Sequence, residues 1–314
     1  MRLLAVLLLF SLSAFAAGPL HRSIPEKPYP NSRFATVDSI RIHYRTWNDS
    51  LAGAKGKVLL IHGFVGSTFC WRNNSDSLAA AGYRVVAVDL PGWGYSGRDP
   101  NLNQSQSNRA RILWELLDQI DGGDTSKWHI IGHSMGGGTA EAVALTRPGR
   151  TQSLVIVAGM VFLSNNNVNI TVVGLVNHPV YKKLLLSYAE NNYLTFNNIR
   201  RQLKGTYGFL PDTATTMGYL EPLLVEGTAG TVVNLIGNSR EICDLDAKNL
   251  SGMPVLLIWG KKDRTIRLST GKKLKRYLPS VELEVIPHVR HMPMETEPAL
   301  FNRMVTEFLG RNRN

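Results

Sequence analysis

The pentapeptide Gly132-His133-Ser134-Met135-Gly136 is the stretch of this chain best suited to chemistry. It spells G-x-S-x-G, follows an apolar run at 129–132 and precedes a helical pattern at 135–146. A serine set on a sharp strand-to-helix turn presents its hydroxyl at the end of a sheet. The glycines permit the turn because they lack the Cβ that would clash there, and Gly137 and Gly138 extend the small-residue run. The amides that open the helix add oriented dipoles beside the hydroxyl. Such a group is suited to nucleophilic attack on an acyl carbon.

A serine hydroxyl needs a base to take its proton. Of the eight histidines, His43 and His129 fall in predicted strands, His21 in an N-terminal leader and His178 in a helical insertion. His133 is the variable position of the turn, and His62 precedes a Gly-rich loop. His288 and His291 lie beyond the last predicted strand. His291 is preferred, because Met292 and Pro293 suit a packed loop ahead of a final helix introduced by Pro298, whereas His288 directly follows Pro287. A carboxylate should orient the imidazole and stabilise its charged form. Asp263 sits just past a strand, in Trp259-Gly260-Lys261-Lys262-Asp263. Its rivals Asp244 and Asp246 precede that strand, and Glu295 and Glu297 follow the histidine and are expected to face solvent.

Residues 35–44 suggest a hairpin around Asp38-Ser39. Strands are predicted at 58–62, 85–89, 129–132, 154–158, 255–259 and 283–286, and helices at 70–81, 105–119, 135–146, 268–277 and 299–309. Near-continuous apolar strands imply burial on both faces. Their alternation with helices predicts an α/β fold with a mostly parallel central sheet flanked by helices. The rhythm stops at 161–242, which is rich in Asn, Leu and Tyr, with helical patterns at 180–188 and 219–225. This segment is expected to be a helical cap inserted into a core formed by 33–160 and 243–314.

The 314 residues carry 44% apolar and 19% charged side chains, enough for a sizeable core. Arg2, the apolar run 3–10 and Ala14-Phe15-Ala16 have the three-part form of a signal peptide over 1–17, followed by an extended leader at 18–32. Export is therefore expected, with an uncleaved N-terminal membrane anchor as the alternative. Cys70 and Cys243 are compatible with one disulfide or two free thiols. The formal net charge of +11 allows weak association with an anionic membrane surface. The densest basic groups, Lys261, Lys262, Arg264 and Arg267, then Lys272, Lys273, Lys275 and Arg276, read as solvated faces. No nucleic-acid-binding motif and no metal-ligand cluster accompany them, and no cofactor is implied.

Five segments together resemble the α/β-hydrolase superfamily over 33–309. They are Leu60-Ile61-His62-Gly63-Phe64, Asp89-Leu90-Pro91-Gly92-Trp93-Gly94-Tyr95-Ser96, Gly132-His133-Ser134-Met135-Gly136-Gly137, Trp259-Gly260-Lys261-Lys262-Asp263, and His291-Met292-Pro293 with Glu297-Pro298. The resemblance implies a triad in the chain order Ser134, Asp263, His291, and oxyanion donors from the main-chain N–H groups of Phe64 and Met135. Members often carry Gly before the catalytic histidine, where this chain has Arg290. Ala158-Gly159 offers no carboxylate at the alternative acid position. Ser134 sets the chain apart from members with an aspartate nucleophile, the haloalkane dehalogenases and epoxide hydrolases. The expected activity is hydrolysis of carboxylic esters of small or acyl-chain apolar substrates through an acyl-enzyme. The alternatives are carbon–carbon bond or amide hydrolysis by the same triad, or a non-catalytic ligand-binding member of the fold.

Overall fold

The computed structural model describes residues 22–49, 53–161, 174 and 176–312. The expected signal peptide at 1–17, and part of the expected leader and cap, lie outside the described residues. Eight strands form one sheet: β1 (Ser32–Val37), β2 (Ile40–Trp47), β3 (Lys57–Ile61), β4 (Arg84–Val88), β5 (Trp128–His133), β6 (Thr151–Val157), β7 (Val255–Gly260) and β8 (Glu282–Ile286). Their order is β1-β2-β4-β3-β5-β6-β7-β8. The β1–β2 and β2–β4 pairs are antiparallel, and every pair from β4–β3 to β7–β8 is parallel.

The strand composition explains this order. β3, β5 and β7 are buried at every residue, as strands covered on both faces must be. Glu282 on the last strand is exposed, a charge that discourages pairing beyond the sheet. The β1–β2 turn places Asp38 and Ser39 at positive φ, the conformation whose twist suits a two-residue hairpin.

Helices α1 (Ser75–Ala80), α2 (Gln106–Asp121) and α3 (Met135–Thr146) follow β3, β4 and β5. Ser105 caps α2 by accepting from Asn108 N–H, and Trp114 Nε1 donates to Val143 O, tying α2 to α3. The helix expected over 70–81 is interrupted. A 3₁₀ turn at Thr68–Trp71 precedes α1, because Asn74 turns its amide inward to Met294 O at 2.9 Å and Asn302 Oδ1 at 2.8 Å.

Between β6 and β7 the chain forms a helical cap: α4 (Pro179–Tyr188), α5 (Phe196–Tyr207), α6 (Thr213–Leu223) and α7 (Thr228–Gly237). The sequence patterns indicated parts of α4 and α6 but not α5 or α7. The chain returns with α8 (Leu268–Tyr277), α9 (Pro293–Thr296) and α10 (Pro298–Arg311). No helix among the described residues is long and apolar enough to cross a membrane. Both cysteines are free, Cys70 buried and Cys243 exposed.

Asp89, just past β4, ties its own loop to β2 and to the turn that follows β3. Its Oδ2 accepts from His43 Nδ1 and Tyr95 N–H, both at 2.7 Å, and its Oδ1 accepts from Thr68 N–H at 2.6 Å. Burial raises its pKa, but His43, His62 and the Tyr95 N–H together more than offset this and hold it below the usual carboxylate value. Asp89→Ala leaves these buried donors unpaired, so the unfolding free energy is expected to fall by about 3 kcal/mol. A urea denaturation series measures this, and a loss under about 1 kcal/mol would remove Asp89 from the role.

Candidate active site

Ser134 lies at the junction of β5 and α3 with φ 55° and ψ −119°. For a residue with a Cβ this is a strained conformation. Close packing holds it there. A Cβ on Gly132 would sit 2.0 Å from Gly136 O, one on Gly136 2.2 Å from His62 O, and one on Gly63 2.9 Å from Ser134 Cβ. Any larger residue at these points would push the turn away from the loop after β3.

His291 follows β8 and is positioned through its own backbone. Its N–H donates to Thr206 O of α5 at 2.9 Å, and its carbonyl accepts from His133 Nε2 at 2.9 Å. Gly260, at the end of β7, lets this loop pass overhead, since a Cβ there would lie 2.0 Å from Arg290 O. His291 Nε2 is 2.9 Å from Ser134 Oγ, and His291 Nδ1 is 2.7 Å from Asp263 Oδ2. The second carboxylate oxygen, Oδ1, accepts from the N–H groups of Thr265 at 2.8 Å and Ile266 at 3.1 Å, which fixes its rotamer. The three side chains read from the sequence thus form one hydrogen-bonded relay at the carboxyl ends of β5, β7 and β8. Asp263 and His291 are almost wholly buried.

Of the two residues expected to supply oxyanion N–H groups, Phe64 lines the same cavity as Ser134 and Met135 follows Ser134 directly. Met135 opens α3, so its N–H has no partner within the helix. Neither N–H is taken up by another acceptor among the described residues. Phe64 is held edge-on against Trp93, with ring centroids 5.3 Å apart.

The other histidines are elsewhere or otherwise engaged. His288 is exposed and pairs with Glu297 at 2.7 Å. His62 Nδ1 donates to Gly63 O at 2.7 Å while its Nε2 accepts from Leu90 N–H at 3.0 Å, which requires the neutral ring. His43 forms a second Ser–His–Asp set with Ser32 and Asp89, but its ring is enclosed by Tyr29, Phe34 and Tyr95 and serves packing.

Ser134 and His291 face a cavity of about 590 Å³ between the sheet and the cap. Val176, Leu185, Val232, Leu235 and Ile236 give it an aliphatic wall. Asn198, Gln202, Arg264 and Arg290 add polar groups. Arg264 is exposed, as the solvated-face reading expects, and also borders this cavity.

Glu295, expected to face solvent, is a buried anchor. Its carboxylate binds Arg72, Tyr207 OH of α5 and Tyr219 OH of α6. Burial raises its pKa, and the Arg72 guanidinium pulls it back only in part. A carboxylate could stay inside because three donors converged on it. Only its spacing, four residues after His291, hinted at a role. His133 was likewise passed over, because its ring reaches a backbone carbonyl far along the chain.

A model of the alpha/beta hydrolase fold matches residues 57–298. Two curated bacterial proteins are similar over most of the chain. A 2-hydroxy-6-oxononadienedioate/2-hydroxy-6-oxononatrienedioate hydrolase of Burkholderia vietnamiensis is 32% identical, covering 87% of this chain and 92% of its own length. A hydrolase of the same description from Cupriavidus pinatubonensis is 30% identical, covering 89% and 95%. Among solved structures, a bromoperoxidase from Bacillus anthracis superposes with a TM-score of 0.69 at 23% identity, covering 89% of this chain and 99% of its own, a likeness of fold.

Burial depresses the pKa of both His62 and His133, and the charge of a neighbouring His291 adds to the effect on His133. In the unfolded chain both would titrate near the free value of about 6.5. Depressed folded values mean stability present above that pH and lost progressively below it. The urea midpoint is therefore expected to fall from pH 7 to pH 5, with a shallower slope in His133→Gln. Equal slopes would show that His133 takes up its proton inside the fold.

Proposed function

The chain belongs to the alpha/beta hydrolase fold family, and from that premise we propose that it is a serine hydrolase cleaving a carbon–carbon bond beside a ketone. The observation that carries the hydrolytic reading is the relay from Ser134 Oγ through His291 to Asp263, at 2.9 and 2.7 Å, opening on a cavity. The bond type is supported by the relatives, named as 2-hydroxy-6-oxononadienedioate/2-hydroxy-6-oxononatrienedioate hydrolases, at 28–32% identity over most of this chain.

Each group then has a role. Ser134 Oγ adds to the ketone carbon as His291 Nε2 takes its proton. The N–H groups of Phe64 and Met135 hold the oxyanion that forms, a term worth about 10²–10³ in kcat per donor in acyl transfer. In a 2-hydroxy-6-oxodienoate the enol proton must first move to the carbon beside the ketone, giving the 2-keto tautomer. The carbon–carbon bond then breaks to a dienolate, which receives the proton from His291. Water, deprotonated by His291, releases the acyl group from Ser134. Asp263 keeps the imidazole aligned and supports its positive charge at each stage.

A second reading, hydrolysis of carboxylic esters, uses the same steps with an alkoxide as leaving group. The aliphatic cavity wall favours it, since that wall suits an acyl chain.

Ser134→Ala is expected to abolish labelling by a fluorophosphonate and all turnover, and Asp263→Asn to lower kcat by about 10⁴. A panel pairing 2-hydroxy-6-oxodienoates with p-nitrophenyl esters of matched tails decides the bond. Higher kcat/KM on the keto acids upholds carbon–carbon cleavage, and higher values on the esters move the assignment to the second reading. Labelling at a residue other than Ser134 overturns both.

A further inference from the structure

The reaction centre does not by itself specify the rest of the substrate. The charges lining the cavity are uneven. Arg264 directly follows the acid Asp263 and is exposed, Arg290 directly precedes the base His291 and is half-buried, and both border the cavity. No Asp or Glu lines the cavity, and neither arginine forms an ion pair among the described residues. Arg290 is held in place by the cap: one N–H donates to Gly205 O at 3.2 Å, and its Nε lies 3.0 Å from where a Cβ on Gly208 would be. The remaining N–H groups of its five-donor fork are free for a ligand. This residue also stands where resembling chains often have Gly, so the guanidinium is a feature of this chain.

The cap side differs. Val176, Leu185, Val232, Val233, Leu235 and Ile236 offer no charge. The unfilled donor there, Gln202 Nε2, is neutral and suits a carbonyl or hydroxyl. A carboxylate pushed against that wall would lose its water without gaining a counter-charge. We propose that Arg264 and Arg290 form an anion-reading rim, and that the site selects substrates with one anionic group near the scissile carbonyl and a hydrocarbon tail under the cap. The relatives are named for dioates, and by this inference the present chain discriminates against a second carboxylate. The inference rests on the hydrolytic reading only for which end of the ligand meets Ser134.

Binding to the inactive Ser134→Ala protein tests it without turnover. Decanoate, decan-1-ol and decanedioate are titrated at fixed ionic strength. Decanoate is expected to bind at least tenfold more tightly than either of the others, the order of magnitude for hydrogen bonds to a charged group. Arg290→Gln and Arg264→Gln, each added to Ser134→Ala, should shrink the decanoate-to-decanol ratio several-fold, with Arg290→Lys restoring part of it. Lys272→Gln on the exposed face of α8 should leave the ratio unchanged, which separates a local rim from the overall positive charge. Decanoate binding no better than decanol, or decanedioate matching decanoate, overturns the proposal. So does a ratio unmoved in both arginine variants. A chain that shows the preference yet is not labelled at Ser134 loses the hydrolytic reading and keeps this one.

Discussion

The backbone of one residue constrains the whole site. Ser134 occupies a positive-φ conformation that costs about 1–3 kcal/mol for a residue with a side chain. It persists because Gly63, Gly132 and Gly136 let the loop after β3, the end of β5 and the start of α3 come within contact of one another. The same crowding that strains the serine sets it beside the Phe64 loop and opposite the His291 loop. A serine in a relaxed turn would be no better as a nucleophile and would lie farther from both. The central position of β5, flanked by β3 and β6, gives the strain a rigid support.

The electrostatics are arranged around the one imidazole expected to change charge. His62 and His133 lie close by and are kept neutral by burial. Were either protonated, its charge would oppose the developing charge on His291. His133 also donates to the carbonyl of His291, so a neutral ring serves as a backbone support. Asp263 is aligned by two amides of its own loop and needs no help from elsewhere in the chain. The cations beside the triad, Arg264 and Arg290, border the cavity that Ser134 and His291 face.

What the sequence revealed follows from what is local. Buried parallel strands announce themselves as short apolar runs, and β3 to β7 were all visible that way. The elbow at Ser134 was legible because its glycines, strand and helix are contiguous. Asp263 and His291 were legible because each closes a strand. The cap was harder. Its α5 begins at a Thr195 cap and α7 after Gly227, with no strand rhythm to frame them, and a π-helical turn at Ala189–Tyr193 blurs the period between α4 and α5. Features made by distant partners left no local trace. Asn74 breaks a helix for the sake of Met294 and Asn302, and Glu295 reads as a surface carboxylate until Arg72, Tyr207 and Tyr219 close around it.

That buried carboxylate belongs to two parts of the molecule at once. It stands four residues beyond His291 in the chain, and it grips both α5 and α6, while α5 also holds the His291 amide through Thr206. The roof and the proton carrier therefore share a hinge pin. A molecule that raised its roof far enough to strip these contacts would also slacken its histidine, so admission and reaction belong to different moments.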